Sequence, residues 1–250
     1  MSGHSKWSTI KRKKGAEDAK RGKVFTRLAR DITLAARESG GDENSNAKLK
    51  LAIAKAKASN MPKENIERAI KRGTGELDGG QLEEITYEGY GPEGVAIIID
   101  VLTDNRNRSL ADIKYVFNRG GGSLASAGSV LWQFEQKGFF VLDAEGLDFE
   151  EVFMVAAEAG ADDVIEEEGR IIIYTPKDRY AAVDQALIAA NYTADEAELR
   201  WEPQNEVDIP QDKAVQNLRI IEQLEELDDV QSVSSNLLIT DKIAAAFEAG

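Results

Sequence analysis

The sequence predicts an α+β protein with an N-terminal three-helix domain followed by two α/β domains, one of which is ferredoxin-like and inserted in the other. Three observations support this fold class. The 250 residues correspond to two or three domains at roughly 150 residues each. The hydrophobic period changes from helical to mixed after about residue 76. The elements between residues 137 and 204 follow the order β-α-β-β-α-β of a ferredoxin-like unit.

Three helices are predicted in the N-terminal part. Apolar residues recur at helical spacing between Lys20 and Glu38, and Gly40-Gly41 ends this first helix. The second helix covers Ala47–Ala58, which is rich in strong helix formers. Pro62 suits the first turn of a third helix that continues to Arg72. The predicted divisions are a basic segment over 1–23 and a helical bundle over 24–76.

The first α/β domain is predicted to be discontinuous, over 82–136 and 207–240. Its expected elements are strands at Ile85–Tyr87, Val95–Leu102 and Ser129–Phe134, a helix capped by Ser109, a helix over Ala214–Leu227 and a strand over Ser232–Ile239. The last helix and strand cannot bury their apolar faces alone. We therefore expect them to return to the sheet formed by residues 83–135.

The inserted domain is predicted over 137–204. Its expected strands are Gly138–Leu142, Asp163–Glu166, Arg170–Tyr174 and Ala197–Trp201, and its helices are Phe149–Ala159 and Asp178–Ala189. The acidic run Glu166–Glu168 is interpreted as a hairpin turn, because nothing fixes its carboxylates in the geometry of a metal site.

Charge is distributed very unevenly along the chain. Residues 1–72 hold 19 Lys and Arg against 8 Asp and Glu, a net charge of +11, whereas residues 73–250 have a net charge of −25. Such asymmetry predicts that the basic part contacts a polyanion, and that the acidic part is repelled by it. Nucleic acid, either DNA or ribosomal RNA, is the predicted partner.

Several classes of function are disfavoured by composition. The chain has no cysteine and one histidine, His4, which excludes thiolate metal sites and cysteine nucleophiles and leaves no His-rich zinc site. No pattern combines a nucleophile with a base, so we expect a non-enzymatic protein without a cofactor or metal. No apolar run reaches the roughly 20 residues of a membrane helix, and no signal peptide is seen. A cytoplasmic protein that does not interact with membranes is expected.

The strongest candidate contact lies in the N-terminal segment. Lys11, Arg12, Lys13 and Lys14 form an unbroken cationic run, flanked by Lys6, Lys20, Arg21 and Lys23. Dense cations of this kind supply most of the non-specific affinity for phosphates. Trp7 could stack on an exposed base or, alternatively, lie against the bundle. Without apolar periodicity, the segment is expected to be dispensable for folding.

Two further candidates are weighed against simpler interpretations. Lys20, Lys23, Arg27 and Arg30 form a stripe on the first helix, which we interpret as an uncompensated positive surface. Arg106 and Arg108 lie at a strand-to-helix junction, which favours anions but is equally typical of an Asn-rich turn. In the third helix, by contrast, the predicted ion pairs Glu64–Arg68 and Glu67–Lys71 neutralise much of the positive charge.

Long motifs occur in series along the chain. They are MSGHSKWSTIKRKKG at Met1–Gly15, KVFTRLAR at Lys23–Arg30, NMPKENIERAIKRG at Asn60–Gly73, YEGYGP at Tyr87–Pro92, TDNRNR at Thr103–Arg108 and GGSL at Gly121–Leu124. These motifs resemble those of the YebC/PmpR family. The resemblance extends from residue 1 to about 240. It implies a three-domain protein, with a helical N-terminal bundle and two α/β domains.

The resemblance also implies a function, on which the family divides. Bacterial members are described as DNA-binding transcriptional regulators, and some are viewed as ribosome-associated translation factors. A eukaryotic relative is the mitochondrial translational activator of cytochrome oxidase. We therefore expect a DNA-binding transcriptional regulator, with a translation factor or activator that binds ribosomal RNA as the alternative.

Overall fold

A computed structural model of the protein describes residues 6, 7, 10, 17–77, 82–167 and 169–249, with the backbone alone for 17–23. Residues up to Val130 and from Val207 onward form one compact unit, and Leu131–Glu206 form a second. The described part contains eight α-helices and two antiparallel four-stranded sheets. The predicted α+β class, with an N-terminal helical region followed by α/β domains, is confirmed. No helix in these ranges has the length and hydrophobicity needed to cross a membrane.

The N-terminal bundle consists of α1 (Glu17–Ser39), α2 (Ala47–Ala58) and α3 (Lys63–Gly73). Asn46 caps α2 by accepting a hydrogen bond from Leu49 N at 3.0 Å, and its amide donates to Ala35 O at 2.7 Å. Gly73 allows α3 to approach α1 closely, because an added Cβ would lie 2.4 Å from Thr33 O. A core of small and branched side chains, centred on Ile32 and Leu49, fills the bundle.

The discontinuous α/β domain has a sheet with the strand order β3-β1-β2-β8. Its strands are β1 (Glu83–Tyr90), β2 (Ala96–Thr103), β3 (Ser123–Leu124) and β8 (Val230–Ser235), and its helices are α4 (Arg106–Gly120), α7 (Gln211–Glu225) and α8 (Asp241–Glu248). The predicted return of the C-terminal strand is confirmed, because β8 pairs antiparallel with the buried β2.

The inserted unit contains β4 (Phe134–Asp143), α5 (Phe149–Ala159), β5 (Asp163–Glu167), β6 (Arg170–Pro176), α6 (Tyr180–Ala189) and β7 (Glu196–Pro203). Its antiparallel strand order, β5-β6-β4-β7, is that of a ferredoxin-like sheet. Both helices cover one face, over a core that includes Phe140, Val152 and Val183.

Two local predictions are wrong, and one helix was not predicted. Residues 129–133 do not form a strand, because the buried Glu88 carboxylate accepts the amides of Gly128 and Val130, the latter at 2.7 Å, and a 3₁₀ turn over Leu131–Gln133 follows before β4 begins at Phe134. Asn105, not Ser109, caps α4, since its side chain accepts from Arg108 N at 3.1 Å. The sequence analysis also missed α8.

Candidate nucleic-acid interface

Trp7 is buried in the core of the discontinuous domain. Its ring is 4% exposed, its Nε1 donates to Glu225 Oε2 at 3.1 Å, and it meets the Phe247 ring edge-on at a centroid distance of 5.3 Å. The expectation of a ring free to stack on a base is therefore wrong for this structure. The tryptophan packs instead, and it does so against α7 and α8 rather than against the bundle.

The neighbours of Trp7 are engaged in the same way. Ile10 is 3% exposed in the same core, and the Lys6 ammonium forms an ion pair with Asp241. The expectation that the segment lacks packing residues is wrong, because Trp7 and Ile10 have the i, i+3 spacing of one helical face. That spacing is the signal that could have identified them.

The cationic run itself lies outside the described residues. This holds for Lys11, Arg12, Lys13 and Lys14. The backbone of Lys20, Arg21 and Lys23 belongs to α1, but their side chains also fall outside the description. Their predicted role in phosphate binding stays a prediction.

Arg27 and Arg30 project from α1 toward the C-terminal end of α7. Arg27 Nη2 donates to Glu225 O at 2.9 Å. Arg30 donates to Asp228 O, and its Nη2 lies 2.6 Å from Asp229 Oδ1. The prediction of an uncompensated stripe is wrong for both residues. Asp31 lies four positions beyond Arg27, and burial raises its pKa while the charge of Arg27 acts to lower it. Both arginines also donate to a segment about 200 positions away that no local spacing reveals.

The Asp229 carboxylate collects donors from three elements, and we call this cluster the Asp229 corner. Arg30 reaches it from α1, Arg108 Nη2 from α4 at 2.9 Å from Oδ2, and the hydroxyls of Ser109 and Thr103 at 2.5 and 2.9 Å. The corner thus fastens the bundle to the discontinuous domain. Sequence reasoning missed it, because one aspartate in an acidic body carries no local signal.

The electrostatics of the corner follow from these contacts. Burial by itself raises the pKa of Asp229, but hydrogen bonds from Ser109, Arg108 and Thr103 outweigh burial, so that the pKa falls below its ordinary value. The hydrogen bond to Asp229 in turn raises the pKa of Arg108. The corner therefore favours the charged forms of the Asp229 carboxylate and the Arg108 guanidinium.

The two arginines of the predicted strand-to-helix junction, Arg106 and Arg108, have different surroundings. Arg108 is held by Asp229 and by Asp104 Oδ1, at 3.0 Å. Arg106, in the first turn of α4, is exposed and has no ion-pair or hydrogen-bond partner within the described ranges. Of the two, Arg106 is therefore the one available to an external anion.

The third helix also differs from the prediction. Glu67 pairs with Lys63 at 3.6 Å, rather than with Lys71. Arg68 and Arg72 are exposed and have no ion-pair or hydrogen-bond partner in the part of the chain that the structure describes. The interpretation that ion pairs neutralise the positive charge of this helix is therefore wrong for its arginines.

A cleft of about 500 Å³ lies between α1 and α3, and we call it the α1–α3 cleft. Arg30, Arg68 and Arg72 line it together with Thr26, Asn65 and Asp104. Its remaining lining is mostly apolar, including Phe25 and Met61. Among the described residues, no cluster of three or more His, Asp or Glu side chains could hold a metal ion.

Two family models match nearly the whole chain. The model described as the TACO1/YebC protein N-terminal domain matches residues 5–76, and that described as the TACO1/YebC second and third domain matches residues 82–237. The first match covers the bundle, and the second covers both α/β domains.

Individual relatives agree along their full lengths. A probable transcriptional regulatory protein of Acidithiobacillus ferrooxidans is 51% identical over 249 residues, covering 100% of this chain and 99% of that protein. One of Dichelobacter nodosus is 52% identical, with 94% and 96% covered. The crystal structure of a conserved hypothetical protein from Aquifex aeolicus is similar, with a TM-score of 0.83 and 42% identity over 90% of this chain and 93% of that one.

Proposed function

Since this chain belongs to the TACO1/YebC family, we propose that it is a non-enzymatic, nucleic-acid-binding regulatory protein of the cytoplasm that acts on transcription through DNA. One observation carries the proposal: the net charge is +11 over residues 1–72 and −25 over the rest. The names of its relatives as probable transcriptional regulatory proteins support the regulatory role.

The charge separation supports a one-sided contact. Phosphates attract the basic part through Lys and Arg, and each neutralised phosphate releases counterions. The acidic part repels the same polyanion, so that the contact is confined to the basic part. In this arrangement the α/β domains are available to block or recruit another factor.

The cationic side chains have different roles in this proposal. Lys11, Arg12, Lys13 and Lys14 supply the main phosphate contacts, with Lys20, Arg21, Lys23 and Arg106 as further contacts. Lys6, Arg27, Arg30 and Arg108 have acidic or carbonyl partners within the protein, and they fix the position of the basic part.

Charge reversal tests the main contact. Replacing Lys11, Arg12, Lys13 and Lys14 together by Glu should cut the affinity for nucleic acid and lower the log–log salt slope by about 3 units, from roughly 0.7–0.9 per phosphate. The matched control reverses four exposed lysines elsewhere, Lys57, Lys71, Lys114 and Lys242, and so changes the net charge equally. Equal salt slopes in the two variants would place the contact elsewhere.

A second candidate function, a translation factor that binds ribosomal RNA, is favoured by the exposed helix starts of the basic bundle. Base reading in the major groove uses Arg, Asn or Gln near a helix N-terminus. The first turns of α2 and α3 expose Lys48, Lys50, Lys63 and Glu64 instead. Side chains of this kind suit phosphate contact with little sequence preference.

Competition binding separates the two candidates. We expect a preference of less than about 100-fold for a candidate promoter over random duplex, against 10³ or more for dedicated repressors. A low ratio together with co-sedimentation with ribosomes would favour the translation factor. A ratio above 10³ would establish a site-specific transcription factor.

A further inference from the structure

We propose that the α1–α3 cleft is a phosphate-binding site, in which Arg68 and Arg72 hold one phosphodiester group of the nucleic-acid backbone. This inference rests on the proposed function, since it assigns part of the contact to a defined place on the bundle. It differs from the contact by Lys11–Lys14, because the site is formed by folded helices.

The arrangement of the two arginines is the first argument. Arg68 and Arg72 lie four positions apart on α3, so both side chains are on the same face of the helix and line the same cleft. Like charges at this spacing destabilise a helix. Arg72 lies in the last turn of α3, where a positive charge interacts favourably with the helix dipole. Arg68 lies outside that turn, so its charge does not stabilise the helix in this way.

The state of the neighbouring charges is the second argument. The cleft contains one acidic residue, Asp104, and its Oδ1 already accepts from Arg108 at 3.0 Å. Arg30 lines the cleft while its guanidinium is held by Asp229. Arg68 and Arg72 are therefore the cations of the cleft without a partner among the described residues.

The chemistry of the lining is the third argument. A guanidinium group presents its donors in a planar fork that matches two phosphate oxygens. The Asn65 side chain adds a neutral polar group to the lining, beside an apolar part around Phe25 and Met61. A volume of about 500 Å³ is sufficient for a phosphate with its attached sugar.

Paired double substitutions test the assignment. The Arg68→Ala/Arg72→Ala protein is compared with Lys57→Ala/Lys71→Ala, which removes the same charge from exposed positions of α2 and α3 outside the cleft. A labelled single-stranded 20-mer and a duplex of the same sequence serve as probes, over a range of salt concentrations. All four residues are exposed, and thermal unfolding midpoints verify that both proteins are folded.

We expect the arginine variant to lose at least tenfold more affinity than the lysine variant, with a salt slope lower by about 1 unit. The Arg68→Lys/Arg72→Lys protein should keep the wild-type slope but lose affinity several-fold, because an ammonium group lacks the fork. Equal losses in the two alanine variants would overturn the phosphate site and leave the proposed function standing. Absence of wild-type binding to either probe would refute the proposed function itself.

Competition identifies the source of the phosphate. Inorganic phosphate and pyrophosphate are titrated against the labelled 20-mer at constant ionic strength. We expect displacement only at millimolar concentrations, because the site holds one group of a longer polyanion. Micromolar displacement that the Arg68→Ala/Arg72→Ala protein loses would assign the cleft to a free phosphate compound and overturn the assignment to the nucleic-acid backbone.

Discussion

The helical bundle holds arginines in two contrasting surroundings. On α1, Arg27 and Arg30 face the C-terminal end of α7 and donate to Glu225 O and to Asp229. On α3, Arg68 and Arg72 are exposed on the α1–α3 cleft and lack ion-pair partners within the described ranges. The first pair fixes the bundle to the discontinuous domain, whereas the second pair is free to meet an external anion. Positive charge in the sequence therefore does not by itself identify a binding residue.

The N-terminal segment contributes to stability in the same way as the paired arginines, and its tryptophan should give the largest effect. We expect Trp7→Ala to lower the free energy of unfolding by about 4 kcal/mol, because it removes a buried ring and leaves the core cavity beside Phe247 unfilled. Trp7→Phe keeps most of the ring and loses the hydrogen bond to Glu225, for a loss of about 1 kcal/mol.

Urea unfolding of both variants measures these losses, and nucleic-acid binding at a temperature where both are folded provides the independent readout. If Trp7→Phe bound nucleic acid tenfold more weakly while remaining fully stable, the ring would act in binding rather than in packing. That result would separate Trp7 from the residues that stabilise the fold.

Removing the Asp229 carboxylate, which Arg30 and Arg108 share, should destabilise the contact between the bundle and the discontinuous domain. Asp229→Ala leaves Arg30, Ser109 and Thr103 without their carboxylate partner, at a cost of about 3 kcal/mol in unfolding free energy. Asp228→Ala removes the same charge from the adjacent exposed side chain, whose position contributes only its backbone carbonyl to Arg30. Chemical denaturation should show a change within about 0.5 kcal/mol for this control.

The loss of stability caused by Asp229→Ala should also depend on pH. The pKa of Asp229 lies below its ordinary value in the folded protein, so the stability it contributes is present above pH 4 and is lost as the pH falls through the folded pKa. The difference in stability between wild type and variant should therefore shrink under acidic conditions. A difference that stays constant down to pH 2 would contradict the ionised corner.

A direct comparison of single arginines sharpens the contrast. Arg30→Ala should cost about 2 kcal/mol, because the group is largely buried and Arg108 remains to satisfy Asp229. Arg68→Ala should change stability by less than about 0.5 kcal/mol, since the side chain is exposed and unpaired within the described part of the chain. Equal losses on denaturation would remove the distinction between the two sets.

Local patterns were sufficient to predict most of the fold. The bounds of α2 and α5 follow from helix formers and capping residues, and the ferredoxin-like order follows from the alternation of periods between residues 137 and 204. The errors arose where a distant side chain replaces a local partner. Glu88 binds the amides of residues 128 and 130, and Asp229 binds Arg30 and Arg108.

The candidate site was less predictable than the fold, for a related reason. Whether a cation is free depends on every element packed near it, whereas the sequence shows only neighbours at i, i+3 and i, i+4. Lys63 rather than Lys71 pairs with Glu67, although both lie four positions away. The three-residue spacing of Trp7 and Ile10 predicts a buried face, but only the fold shows which domain covers it.

The smallest expected effect concerns Asp31, whose charge depends on the paired arginines of α1. Burial raises the pKa of Asp31 to about 6, although the charges of Lys55, Arg27 and Arg30 act to lower it. A raised folded pKa means that the stability gained from protonation is fully present below pH 3.8 and is lost as the pH rises through 6. Between pH 7 and pH 5, protonation of Asp31 should add about 1 kcal/mol to the free energy of unfolding.

Asp31→Asn should remove this contribution, since the amide does not titrate. Urea unfolding of wild type and variant at pH 5, 6 and 7 measures the difference directly, and all other ionisable groups cancel in the comparison. We expect the variant to gain on the wild type as the pH rises from 5 to 7. In an Arg30→Ala background the folded pKa of Asp31 should rise further, because a positive neighbour is lost, and the transition should move to higher pH. If the transition stayed at the same pH, the charge of Arg30 would have no effect on the pKa of Asp31, and Arg30 would interact with the Asp229 corner alone.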